Sequence, residues 1–234
     1  MSEEWTAKEA EREQIAAEEH SERLRNPEEY GRWGKLGKAL KWLLRPLFWL
    51  LFPYKAKGVE NIPTDDRPLI VCSNHISMTD PVFLLYAQKQ ANVYFMGKEE
   101  LFRSGFLAWF LGKQCGAFPV SRGKGDTNAL ARAEQIIAER KWMGIFPEGT
   151  RSKTGELGRF KSGSALIAAK MQAHVLPVAI TTKNQKVKLF RRVTVTFGAP
   201  LSPAELQLDG EKPNLRVATR AMTAAVSSLM GATE

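Results

Sequence analysis

The chain has 234 residues, 44% of them hydrophobic, enough for one domain with a good-sized core. Its two cysteines, Cys72 and Cys115, lie in apolar stretches without metal-ligand spacing, which argues against a disulfide framework or a zinc site and fits a reducing compartment. The net charge of +9 is uneven, because residues 1–30 carry ten acids against four bases and leave +15 for the remainder. Anionic partners are therefore expected, but with no basic recognition helix and no aromatic RNA-binding signature, nucleic acid is not among them.

Residues 2–25 are rich in Glu, Ala, Gln and Arg and read as a solvated helix or partly disordered arm, with no secretory signal pattern. Residues 34–54 differ. Leucines and Phe48 interleave with Lys35, Lys38, Lys41 and Arg45, and Trp33, Trp42, Trp49 and Tyr54 add rings suited to a headgroup level. The apolar run is too short and too charged to span a bilayer, Pro46 is expected to break it and Pro53 to end it. It predicts a helix lying on the membrane with its basic side toward lipid phosphates; a helix that covers the core is the alternative.

Beyond residue 54 the chain alternates. Buried strands are predicted at 69–73, 93–96, 117–120, 143–147, 175–181 and 193–197, and helices at 80–90, 104–114, 126–140 and 162–172, with a last one at 214–230 packing back on the sheet. This predicts an α/β fold: a single mixed, mostly parallel sheet flanked by helices, preceded by an amphipathic membrane-interface segment. The division is a charged arm and membrane-associating segment at 1–54 and a catalytic domain at 55–234.

Two strand ends carry polar loops of chemical interest. After the strand at 69–73 come Asn74, His75, Ser77 and Asp80. A histidine that is to accept a proton on one ring nitrogen needs an acceptor for the other, and Asp80 can curl back to supply it while capping the next helix. Asn74 and Ser77 read as turn-formers. After the strand at 143–147 come Glu148, Gly149, Thr150, Arg151 and Ser152. Here Gly149 allows close approach of a ligand and Arg151 offers a planar fork for a phosphate, although a surface ion pair between Glu148 and Arg151 is an alternative. Two further segments follow this pattern: 116–123, ending in Arg122, and 176–180, whose Pro177 suggests an edge or bulge. Lys98 reads as a phosphate ligand or a solvated lysine, Lys161 as a helix-start lysine, and His20 and His174 as structural or surface residues. The apolar residues at 102–111 either fill a core or touch acyl chains and lipid.

At these four segments the sequence resembles the 1-acyl-glycerol-3-phosphate acyltransferases of the glycerolipid acyltransferase superfamily. Asn74, His75, Ser77 and Asp80 match the first family block, residues 146–152 match the third without a change, and 116–122 and 176–178 match the second and fourth. Ser121 departs from it, since relatives often carry an acidic residue there. The resemblance implies acyl transfer from a thioester of acyl-carrier protein or coenzyme A to the sn-2 hydroxyl of lysophosphatidic acid, giving phosphatidic acid. His75 would act as base and Asp80 as its partner, with Arg122, Glu148, Gly149, Thr150, Arg151 and Lys98 as substrate-binding residues, Glu148 orienting either the loop or a substrate hydroxyl; Lys161 resembles a further family feature. It implies no metal and no cofactor besides the donor, and a peripheral or monotopic position on the cytoplasmic face of the cell membrane. Acylation of another lysolipid, or a noncatalytic lipid-binding module, are the competing readings.

Overall fold

The computed structural model describes residues 30–120 and 127–231, so Arg122, Ser121, His20 and the acidic arm lie outside the described residues. A helix, α1 (Lys35–Leu51), precedes a seven-stranded sheet. In chain order the sheet and its helices are β1 (Tyr54–Lys57), β2 (Leu69–Ser73), α2 (Asp80–Tyr86), β3 (Val93–Lys98), α3 (Gly105–Lys113), β4 (Ala117–Val120), α4 (Thr127–Ala138), β5 (Trp142–Ile145), α5 (Gly163–Met171), β6 (His174–Thr182), β7 (Val193–Phe197) and α6 (Leu215–Gly231). Across the sheet the order is β1-β7-β6-β2-β5-β3-β4. Among the strand pairs of the described residues only β6–β7 is antiparallel.

Strict alternation along β2 explains why helices cover both faces. Ile70 and Cys72 point into one cluster with Met143, Ile137, Ala168 and Met222, under α4, α5 and α6. Leu69 and Val71 point into the other with Phe83, Leu84, Leu176 and Val195, under α2 and the half-buried Phe48 of α1. A strand buried on both sides has to be apolar throughout, and all five β2 residues are buried.

Four expectations change. Pro46 does not break the helix: α1 runs through it. The carbonyl that Pro46 cannot serve belongs to Trp42, and both residues are exposed to solvent, while Phe48 beyond the proline packs on Phe83 and Tyr86 and holds the last turns in line. The basic side chains of α1 do not all face outward. Lys41 donates to Ala91 O and Asn92 Oδ1, and Arg45 to Tyr86 O, leaving Lys35 and Lys38 exposed. Trp33 and Tyr54 likewise turn inward, donating to the carbonyls of Val93 and Tyr86. Pro177 sits in an interior strand, paired with Cys72 of β2. It is tolerated because the β6–β7 register starts one residue later, at Val178. Gly198 donates to its carbonyl there, so the missing N–H costs a bond at the end of a ladder rather than in its middle. The sequence reading also missed β1, a short edge strand of alternating exposure.

Candidate functional site

The sheet register brings the two polar loops together. Cys72 of β2 pairs with Ile145 of β5, and His75 lies as far beyond the first as Glu148 lies beyond the second. Both strands are parallel and end at the same edge, where the loops of doubly wound sheets form their crevices. A cleft of about 1110 Å³ opens over this edge. His75, Gly149, Arg151 and Lys161 line one part of it, and most of the rest is apolar, from α1, α2, α3, α5 and the strands between them.

His75 Nδ1 lies 2.7 Å from Asp80 Oδ2. The same oxygen accepts the backbone N–H groups of Ile76 and Ser77, each at 2.7 Å. Asp80 is fully buried, and among the described residues its Oδ1 has no hydrogen-bond partner. An oxygen that serves as acceptor for two amides serves as acceptor for the ring too, so the imidazole proton sits on Nδ1 and Nε2 is left basic. Asp80 opens α2 but does not cap it: its carboxylate turns back to the loop before the helix. The His75 ring stacks on Phe146 at 4.2 Å between centroids, and Phe146 stacks in turn on Phe95. Phe95 reaches that position by lying across Gly144, where a Cβ would come within 2.2 Å of its ring.

Glu148 is placed differently from a substrate ligand. It is buried, with Oε1 accepting the His75 N–H at 2.7 Å and Oε2 the Gly158 N–H at 2.9 Å. Burial raises its carboxyl above the ordinary glutamate value, against the two amides that favour the charge. The His75 carbonyl is held as well, accepting from Ser152 N at 2.7 Å. Both backbone groups of His75 are therefore tied to the loop after β5. Gly149 has φ +71°, and Lys161 Nζ lies 3.0 Å from where its Cβ would be, so the glycine lets the lysine lie over the turn.

Arg151 and Lys161 are exposed at the cleft, and neither has an acidic partner within ion-pair distance among the described residues; the alternative of a Glu148–Arg151 ion pair is not what these residues form. Lys98 lines the cleft but is ion-paired with Glu100 at 2.8 Å. Thr150 is exposed on the turn and is not part of the lining. Sequence reasoning missed two functions. Asn74 is buried and makes reciprocal bonds with the Ile180 backbone at 2.9 and 2.8 Å, riveting the loop to β6 rather than forming a turn. Phe146 supports the His75 ring, and its only signal was an aromatic residue at a strand end directly ahead of the polar loop.

The acyltransferase family model matches residues 54–181. A 1-acyl-sn-glycerol-3-phosphate acyltransferase of Streptococcus pneumoniae is 28% identical over 169 residues, covering 71% of this chain and 62% of that protein. A Bacillus subtilis protein of the same name is 29% identical over 177 residues, 75% of this chain and 87% of the relative. The chloroplastic enzyme LPAT1 of Arabidopsis thaliana is 33% identical over 126 residues, 53% and 35%. The chain thus spans less than two thirds of the length of some curated relatives it matches. The crystal structure of the 1-acyl-sn-glycerophosphate (LPA) acyltransferase PlsC from Thermotoga maritima superposes with a TM-score of 0.61 at 27% identity, over 82% of this chain and 79% of that one. The matched residues run from the start of β1 nearly to the end of β6 and include both loops of the cleft, and by that match the chain belongs to the acyltransferase family.

Proposed function

We propose that the protein transfers a fatty acyl group from a thioester of acyl-carrier protein or coenzyme A to the sn-2 hydroxyl of 1-acyl-glycerol-3-phosphate, giving phosphatidic acid. The observation that carries this reading is the His75–Asp80 pair at a mostly apolar cleft that also presents Arg151 and Lys161. Nε2 of His75 takes the proton of the acceptor hydroxyl as its oxygen attacks the thioester carbonyl. The tetrahedral intermediate collapses, the C–S bond breaks, and the imidazolium returns the proton to the leaving thiolate. Asp80 holds the ring and stabilises its charged form. Arg151 and Lys161 bind the phosphate dianion, the arginine through its planar fork. No acyl-enzyme is needed: Cys72 is fully buried, and burial pushes the Cys115 thiol up to about 11.

The acceptor and product are bilayer lipids, and the proposed working position is the cytoplasmic surface of the membrane. Among the described residues no helix is long and apolar enough to cross a bilayer, whereas α1 exposes Trp42, Leu43, Leu47, Trp49 and Leu50, a pattern suited to lying in the interface.

The test is acyl transfer by purified protein with lysophosphatidic acid, other lysolipids and both donor types, scored by lipid product. His75→Ala is expected to lower turnover by about 10²- to 10⁴-fold with an unchanged thermal melt. Near-parent transfer by the folded variant would remove His75 as base, and preference for a lysolipid without a phosphate monoester would remove the proposed acceptor.

A further inference from the structure

The segment between β6 and β7 takes no part in the chemistry above, yet its composition and backbone are unusual. Residues 183–192 contain Lys183, Lys186, Lys188, Arg191 and Arg192 and no acid. Near its end Leu189 and Phe190 are 54% and 65% exposed. Gln185 and Phe190 both have positive φ, 52° and 58°, a region that a bulky aromatic side chain adopts only where its surroundings impose it. The surroundings are visible: Phe190 N–H donates to the carbonyl of Leu51, the last residue of α1, at 2.7 Å, and Val193 N–H donates to Pro53 O at 2.8 Å. The loop is therefore fastened to the end of α1 in a conformation that leaves two large apolar side chains in solvent, next to the helix that exposes Trp49 and Leu50.

A bilayer with anionic headgroups matches this combination. Five cations suit the phosphate level, the exposed apolar pair suits the acyl boundary, and the patch continues that of α1. An acidic protein would satisfy the cations and leave the outward leucine and phenylalanine without a purpose. We propose that loop 183–192 is a second membrane contact, docking on anionic lipid beside α1 so that two separate elements fix how the protein sits on the surface. The proposal rests on the reading above in one respect, that the protein works at a bilayer.

The experiment is sedimentation of the whole protein with phosphatidylcholine vesicles, with and without added phosphatidylglycerol, alongside acyl transfer to detergent-dispersed lysophosphatidic acid. One variant replaces Lys186, Lys188, Arg191 and Arg192 with Gln. A second combines Leu189→Ser with Phe190→Asn, asparagine being at ease in the left-handed region. A control carries Lys212→Gln and Arg216→Gln, exposed bases elsewhere. The glutamine variant is expected to bind phosphatidylglycerol vesicles about tenfold or more weakly, and the second variant to bind both vesicle types more weakly than the parent. The control should match the parent, and all three should keep parent activity in detergent. Parent-like vesicle binding by both loop variants would overturn the proposal. A raised KM for acyl-carrier protein with unchanged vesicle binding would overturn it too, in favour of a carrier-protein dock. Vesicle binding is read without turnover, so an absence of acyl transfer in every protein, parent included, would count against the proposed reaction and leave the loop to be judged on binding alone.

Discussion

At the scale of single residues, Asp80 and Glu148 divide the work of placing one imidazole. Asp80 takes the ring nitrogen and two amides on one oxygen; Glu148 takes the main-chain N–H of the same histidine and ties it to Gly158. A carboxylate is required at Glu148 because both oxygens face donors. In Glu148→Gln one N–H would meet an NH₂ group in a buried place, at a cost of about 1–3 kcal/mol. The variant is expected to melt several degrees lower and to lose kcat while KM for the lysolipid stays close to the parent value. A large rise in KM with kcat preserved would make Glu148 a substrate ligand instead. In the sequence Glu148 reads as orienting either the loop or a substrate hydroxyl, and nothing local indicates that its partners are the amides of His75 and Gly158. The His75–Asp80 pair was legible because both ends lie in one short loop.

At the scale of elements, α1 has two faces with different tasks. Phe48 packs on Phe52, Tyr54, Phe83 and Tyr86, so Phe48→Ser is expected to destabilise the fold, by less than the ~3–5 kcal/mol that losing a fully buried aromatic ring costs, because the ring is only half-buried. Replacing Trp42, Leu43, Trp49 and Leu50 with Ser touches only exposed positions. It should leave the melt within a few degrees of the parent while weakening sedimentation with vesicles and lowering activity on vesicle-borne more than detergent-dispersed lysolipid. Unchanged sedimentation would remove α1 from the membrane contact. The period of the apolar residues made both helix and strands readable, since each buries one stripe or alternate faces. It did not reveal which cations of α1 turn inward, because Lys41 and Arg45 answer to carbonyls that the fold supplies from residues 86 and 91. Pro46 and Pro177 misled for the same reason: local rules for proline were outweighed by packing in one case and by the end of a ladder in the other.

At the scale of the molecule, stability has a pH dependence that His174 helps to set. It begins β6 beside Leu69 of β2, and among the described residues its Nδ1 lacks a hydrogen-bond partner. Burial first, and then the Arg67 charge, hold its pKa below the ordinary 6.5, with Asp65 and Glu205 opposing. The unfolded chain thus takes up the proton at higher pH than the folded one. Stability contributed by neutral His174 is present above 6.5 and is lost as pH falls through the lower, folded value. His174→Gln should therefore flatten the acid side of a Tm-against-pH curve, with little difference from the parent above neutrality. A parent-like acid slope would assign the loss to other groups.

The pairing of Cys72 with Ile145 has a consequence for how this protein tolerates changes in length. The loops of His75 and Arg151 are far apart along the chain, but what sets their distance in space is the phase of one strand against its neighbour, and the chain between them is only a tether. Lengthening a tether costs little, since closure entropy grows with the logarithm of loop length. Shifting a strand by one residue turns every side chain to the opposite face. Several glycines and serines inserted between the exposed Lys89 and Gln90 should leave acyl transfer near the parent rate, whereas one alanine inserted between Met143 and Gly144 should abolish it. The site is thus indifferent to mileage and intolerant of a single missed step.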